Sequence, residues 1–322
     1  MPHSTTTITF DKPNYLPGET VNGQVIIENS KPLKTRAVFI KWNGYSKTQI
    51  IGNPVCKYKY FYGSKLAWAA NSAKNEMPTG THNYKFSFTL PKDCAPSLKL
   101  RNGQNKYKVT VEFDRPWWFN KKVVKEFRVT KQIEDIAKYR NIRPWSWKHT
   151  LRSGYLFTSG PISVKTKLPF KAYQPGETFP IKFEIANNSG EVIGGVSLQL
   201  VRRTHLHTRH QQKPCEGFNK CHLSFSMTSN TSEAYALSKL HKMDLAPYSD
   251  GTFIFPFTIP SEIQTPSFNS GLMTHGYLLN FLFHYKSSLL PHMSCIMILI
   301  GDKLDAKKKP EALAIAPPPY TE

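Results

Sequence analysis

The sequence predicts an all-β protein of two tandem antiparallel β-sandwiches followed by a short disordered tail, and three observations carry that prediction. First, one turn phrase occurs twice, as Tyr15-Leu16-Pro17-Gly18-Glu19-Thr20 and as Tyr173-Gln174-Pro175-Gly176-Glu177-Thr178, 158 residues apart. Pro presets φ at the first central position and Gly supplies the positive φ of the second, the signature of a type II turn. Second, each phrase leads into an alternating strand: Val21, Gly23, Val25 and Ile27 face one way in the first copy, Phe179, Ile181, Phe183 and Ile185 in the second. Each run closes on an Asn, Asn29 or Asn187. Third, the echoes continue, Phe86–Pro91 answering Phe255–Pro260 and Tyr107–Phe113 answering Tyr277–Phe283, now 169 and 170 residues apart. The second copy has therefore gained about a dozen residues in between, a loop-sized insertion.

A chain of 322 residues exceeds a usual single core, and halves of roughly 150 residues match the common domain size. The boundaries read as a first sandwich over 1–148, a hinge over 149–160, a second sandwich over 161–302 and a tail over 303–322. Alternation recurs at Val38, Ile40, Trp42; at Tyr84, Phe86, Phe88, Leu90; at Val196, Leu198, Leu200; and at Ile296, Ile298, Ile300. Pro and Gly punctuate these runs, and no amphipathic helix of any length stands out. Arg143-Pro144-Trp145-Ser146-Trp147-Lys148 breaks the pattern and marks the approach to the hinge, which Pro161 closes.

The net charge of +21 is unevenly spread. Residues 1–148 hold 26 Lys and Arg against 10 Asp and Glu; residues 149–322 hold 17 against 12. Such an excess on one domain attracts an anionic partner, or is simply a lysine-rich solvated surface. Cys56, Cys94, Cys215, Cys221 and Cys295 are scattered and odd in number, and the N-terminus has no basic-then-apolar leader, so a reducing cytoplasm is expected. The sequons at Asn187 and Asn230 are then unused.

The stretch Asp114-Arg115-Pro116-Trp117-Trp118-Phe119-Asn120-Lys121-Lys122 sits between two alternating strands and reads as a hairpin with an aromatic tip. Packing of that tip against the core is favoured over ligand binding, because an indole buries so much area. The stretch, continuing through Lys125, Phe127 and Val129, resembles the end of the N-terminal domain of α-arrestins. Tyr107, Val109 and Val111 before it, the opening Tyr-x-Pro-Gly-Glu with Val21, Gly23 and Val25, and the closing Ile298–Asp302 are similar to the same family over about residues 5–302. The resemblance implies immunoglobulin-like arrestin N and C sandwiches. It also implies a non-enzymatic trafficking adaptor, cytoplasmic and recruited to the plasma membrane and endosomes, that engages transmembrane receptor or transporter cargo. Arg115, Lys121, Lys122 and Lys125 are the candidates for contact with anionic cargo or a peripheral membrane surface.

The tail ends in Pro317-Pro318-Pro319-Tyr320. Pro-Pro-x-Tyr is a WW-domain ligand: the prolines preform a polyproline II helix for an aromatic groove, and Tyr320 fills the neighbouring pocket. In α-arrestins such motifs recruit HECT-type ubiquitin ligases. Members commonly carry two, whereas this chain has one, losing the effective-concentration gain of linked motifs. A ligase-independent sorting scaffold is the alternative, and a basic nucleic-acid binder a distant third.

No glycine-rich phosphate loop, nucleophile elbow or His-Glu-x-x-His is present, so neither an enzyme nor a cofactor is expected. One cluster has the residue types of a zinc site: His205, His207, Cys215 and Cys221, with His210 and His222 nearby. The Cys-x5-Cys spacing fits no standard finger and the flanking Arg202, Arg203 and Arg209 suggest an exposed polar hairpin. A solvated loop without metal is therefore the expectation.

Overall fold

A computed structural model describes residues 4–116, 118–131, 145–151, 160–213, 215, 218 and 221–301. Two compact units divide the chain, one over Met1–Lys131, Leu206–Ser229 and Phe268–Met273, the other over Gln132–His205, Asn230–Ser267 and Thr274–Glu322.

The first copy of the repeat runs through β1 (Ser4–Phe10), β2 (Asn14–Tyr15), β3 (Thr20–Asn29), β4 (Leu33–Lys34), β5 (Ala37–Thr48) and β6 (Cys56–Ala69). It continues through β7 (Glu76–Met77), β8 (Gly80–Thr89), β9 (Leu98–Lys99), β10 (Gly103–Asp114) and β11 (Lys121–Val129). A β1-β3-β8 sheet faces a sheet of order β2-β11-β10-β5-β6, with β9 on β10. Strict alternation makes the two faces: along β10 every second residue is buried, including Val109, Val111 and Phe113. These meet Val21, Val25 and Ile27 from β3 and Phe86 and Phe88 from β8 in one core.

The second copy comprises β12 (Trp145–Leu151), β13 (Ile162–Leu168), β14 (Ala172–Tyr173), β15 (Thr178–Asn187), β16 (Ile193–His207) and β17 (Thr228–Leu237). Then come β18 (His241–Leu245), β19 (Ser249–Thr258), β20 (Phe268–Asn269), β21 (Met273–Tyr285) and β22 (His292–Ile300). A β12-β13-β15-β19 sheet faces one of order β14-β22-β21-β16-β17. Phe179, Ile181, Phe183 and Ile185 all point into its core, with Leu198, Leu200, Ile296, Ile298 and Ile300. Among the described residues there is no α-helix. Strand β12 pairs with β13 from Trp145↔Leu168 to Leu151↔Ile162. Residues 145–148 of the stretch read as the hinge's approach are thus strand, as are residues 149–151 of the hinge itself; residues 143–144 and 152–159 lie outside the described residues. Trp147 is tolerated there because it stays half-exposed while Leu151 is buried.

The repeated turns match bond for bond. Glu19 N–H donates to Leu16 O at 3.0 Å and Glu177 N–H to Gln174 O at 3.1 Å, closing turns in which Gly18 and Gly176 have φ of 86° and 82°. Glu19 and Glu177 carboxylates accept from Leu16 N–H and Gln174 N–H at 2.9 and 2.8 Å. Gly18 N–H reaches Leu90 O and Gly176 N–H reaches Ile259 O. Tyr107 and Tyr277, both buried, donate to Ala95 O at 2.5 Å and Thr265 O at 2.6 Å. Duplication is thus preserved in the polar bonds as well as in the apolar pattern. Asn187 ends its strand by donating to Glu191 O and Ala246 O while its Oδ1 accepts from Ser189, so the amide is a buried turn brace.

The insertion lies in one place. Residues 49–55 join β5 to β6, whereas residues 208–227 join the equivalent β16 to β17. The long connection returns to β16 through Thr208 N–H to Met227 O at 3.0 Å.

Candidate functional site

The four basic candidates do not converge. In the β10–β11 register Lys121 faces Phe113, Lys122 faces Glu112 and Lys125 faces Val109. Lys121 and Lys125 therefore share the core-side face at its open end, where Lys125 Nζ donates to Ile8 O at 2.7 Å and Lys121 lies over the Phe113 ring. Lys122 is on the opposite face, 3.5 Å from the Glu112 carboxylate that also holds Lys41. Arg115 is at the hairpin tip, its guanidinium 6.0 Å from the Trp118 ring centroid.

The tip departs from the sequence expectation. Trp118 is 74% and Phe119 96% exposed; Trp117 lies outside the described residues. Phe113 is the last side chain of β10 to enter the core, and pairing stops one residue later at Asp114, which holds Arg36 at 2.7 Å. Asn120 then accepts from Arg115 N–H and donates to Glu112, and the Trp118 and Phe119 rings stand clear of the sandwich.

The histidine and cysteine residues do converge. Ligand atoms of His205, His207, Cys215 and Cys221 all lie within 4.8 Å of one another. The expected exposed hairpin is corrected: His205, His207 and Cys215 are buried and Cys221 half-buried, because β16 runs as strand through His207 and the connection after it folds back. His205 and His207, two apart on a strand, share one face. His207 Nδ1–H donates to Gly271 O at 3.1 Å, which turns Nε2 towards both thiols, 3.2 Å from Cys215 Sγ and 3.6 Å from Cys221 Sγ. His205 Nδ1 is likewise held by Asn230 Oδ1 at 2.9 Å. Leu223 N–H donates to Cys221 Sγ at 3.4 Å, and Asn269 Nδ2 fixes the Cys215 carbonyl. Burial, then Cys221 beside it, pushes the Cys215 thiol up to about 11.

Leu206, between the two histidines and so on the opposite face of β16, clusters with Phe268, Leu272, Met273, Ile50, Ala95 and Leu98. Gly271 must lack a side chain, since a Cβ there would stand 2.4 Å from His210 Nε2 and 2.5 Å from Gln211 O. His210 is taken up by stacking on Tyr58 at 3.8 Å, and His222 is exposed, so neither joins the set. Pro317, Pro318 and Tyr320 lie outside the described residues. No helix among the described residues is long and apolar enough to cross a membrane.

Two sandwiches joined in tandem, each opening on the same turn and closing with a parallel bridge, β2 on β11 and β14 on β22, define an arrestin-type body. Comparison with known proteins agrees: residues 6–135 match the arrestin (or S-antigen) N-terminal domain and residues 158–300 its C-terminal domain. The chain belongs to the α-arrestin family. It is similar to arrestin domain-containing protein 4 of Mus musculus, 28% identical over 196 residues that cover 56% of this chain and 47% of that protein. It is 26% identical over 218 residues to arrestin domain-containing protein 17 of Caenorhabditis elegans, covering 61% and 51%. With arrestin domain-containing protein B of Dictyostelium discoideum the identity is 24% over 204 residues, covering 60% and 32%. The chain spans about half the length of the curated relatives it matches.

Proposed function

We propose that this chain is a non-enzymatic trafficking adaptor whose arrestin body binds membrane-protein cargo and whose tail recruits a WW-domain HECT-type ubiquitin ligase. The single observation that carries this reading is the sequence Pro317-Pro318-Pro319-Tyr320 placed after two arrestin domains. The mechanism is proximity. A ligase tethered through Tyr320 and a cargo held on the body are forced into a small shared volume, so the local ligase concentration at cargo lysines rises without any covalent step by the adaptor. The excess positive charge of residues 1–148 supports an anionic cargo segment or membrane surface as the other contact. Of the named candidates, Lys122 is paired with Glu112 while Arg115 sits beside exposed Trp118 and Phe119, so the hairpin tip is the better contact.

Full-length protein and its Tyr320→Ala variant should be offered to immobilised WW domains of HECT-type ligases. Recovery is expected for the first and loss for the second. Equal recovery removes the ligase arm and leaves a sorting scaffold. Binding that instead falls steeply with salt on nucleic acid, and ignores the tail, would mark a nucleic-acid binder.

A further inference from the structure

We propose that His205, His207, Cys215 and Cys221 bind one zinc ion as a closed, structural Cys2His2 site. Nothing in the arrangement depends on the tail or on cargo, so it stands apart from the adaptor reading.

The argument starts from valence at His207. Its Nδ1–H is committed to Gly271 O, so Nε2 carries a single lone pair, yet two sulfur atoms converge on it at 3.2 and 3.6 Å. One thiol can donate to that lone pair; the second cannot. A cation at the centre serves all the ligands at once. With Zn–S of about 2.3 Å and Zn–N of about 2.0 Å, tetrahedral ligands stand roughly 3.5 Å apart; the distances from His207 Nε2 to the two sulfurs bracket that value, and all four ligand atoms lie within 4.8 Å of one another.

The surroundings are those a metal site requires. Each imidazole has its Nδ1 held by an oxygen acceptor, Gly271 O or Asn230 Oδ1, which fixes the tautomer that presents Nε2. The Leu223 amide two residues after Cys221 points at its sulfur, as suits a thiolate. Asn269 anchors the backbone of Cys215. Two thiolates with two imidazoles select zinc over hard cations, and four protein ligands leave no open position for catalysis. The ion would hold the 208–227 connection to the end of β16.

The test uses the full chain. Protein incubated with zinc and then desalted should carry about one zinc per chain by elemental analysis, and cobalt in its place should give the intense visible bands of a tetrahedral thiolate site. Alkylation mapped by mass spectrometry tests the same point without a variant. Cys215 and Cys221 should resist the reagent until a chelator is added, while exposed Cys295 reacts equally in both conditions. Cys221→Ser should lose the metal, and His222→Ala should keep it. Metal well below stoichiometry, alkylation indifferent to chelator, or a Cys215–Cys221 disulfide in the reduced cytosolic product would each overturn the assignment.

Discussion

Ser46 with Asn105 and Thr204 with His275 occupy equivalent places in the two copies of the repeat, and only one of these buried pairs can take up a proton. The Ser46 hydroxyl donates to Asn105 Oδ1 at 2.6 Å, and Asn105 Nδ2 goes on to Pro96 O at 2.9 Å. In the second copy Thr204 Oγ1 stands 2.7 Å from His275 Nδ1. Both pairs are buried between the corresponding central strands, β5 with β10 and β16 with β21. Duplication therefore kept a polar bond at this depth in both sandwiches while the chemistry diverged. An amide is indifferent to pH; an imidazole without solvent is not.

The largest effects should test how equal the two cores are. Phe113 and Phe283, fully buried and equivalent in the repeat, should each lose about 3–5 kcal/mol on change to Ala. Phe283 also meets Phe183 edge-to-face at 5.6 Å, so Phe283→Ala should exceed Phe113→Ala by about 0.5–1.5 kcal/mol. Denaturation followed by hydrogen exchange in each sandwich would read the two separately, and an equal loss would remove the aromatic term.

Acid should separate the copies next. Burial, and secondarily the Arg202 charge, push His275 down from 6.5 to about 3. Between those values the unfolded chain binds a proton that the folded one refuses. Stability is then complete above pH 6.5 and falls as pH drops towards 3, by up to about 1.4 kcal/mol per pH unit. His149 and His241, also pushed down by burial, add slope of the same sign. The measurement is thus the difference in slope between the parent and His275→Asn, which copies the first sandwich. Unchanged slopes would show that His275 titrates normally.

Gly18→Ala and Gly176→Ala should cost about the same, roughly 1–2 kcal/mol each, because both φ values are positive and neither site is sterically closed. Thermal unfolding of the pair would show whether the turns are as interchangeable as their bonds. Smallest is the exposed Thr pair beside each turn, Thr20 with Thr89 at 3.3 Å and Thr178 with Thr258 at 2.8 Å. Replacing Thr89 or Thr258 by Val should change stability by about 0.2–1 kcal/mol, more in the second copy.

Much of this was legible in the chain. Alternation at Val109, Val111 and Phe113 reports burial directly, because successive strand residues face opposite sides. The duplicated Pro-Gly turns are legible for a similar reason, since their φ requirements are local. The hairpin tip was misjudged because burial of Trp118 depends on whether a second sheet reaches it, and none does. The candidate metal ligands were set aside for their spacing, although one signal was present: His205-x-His207 at the end of an alternating strand puts two imidazoles on one face.

The sequence by itself determined most of the strand pattern, the duplication and the size of the insertion, since each follows from periodicity, from a backbone preference read within a few residues, or from the offset between the two copies. Only the tertiary structure decided where the insertion carries its cysteines. Cys215 and Cys221 belong to a connection with no period of its own, and nothing local brings them to His207. That convergence depends on β16 running on to His207, on the Gly271 segment packing beside it, and on the chain turning back at Met227, and long-range packing alone fixes those three together.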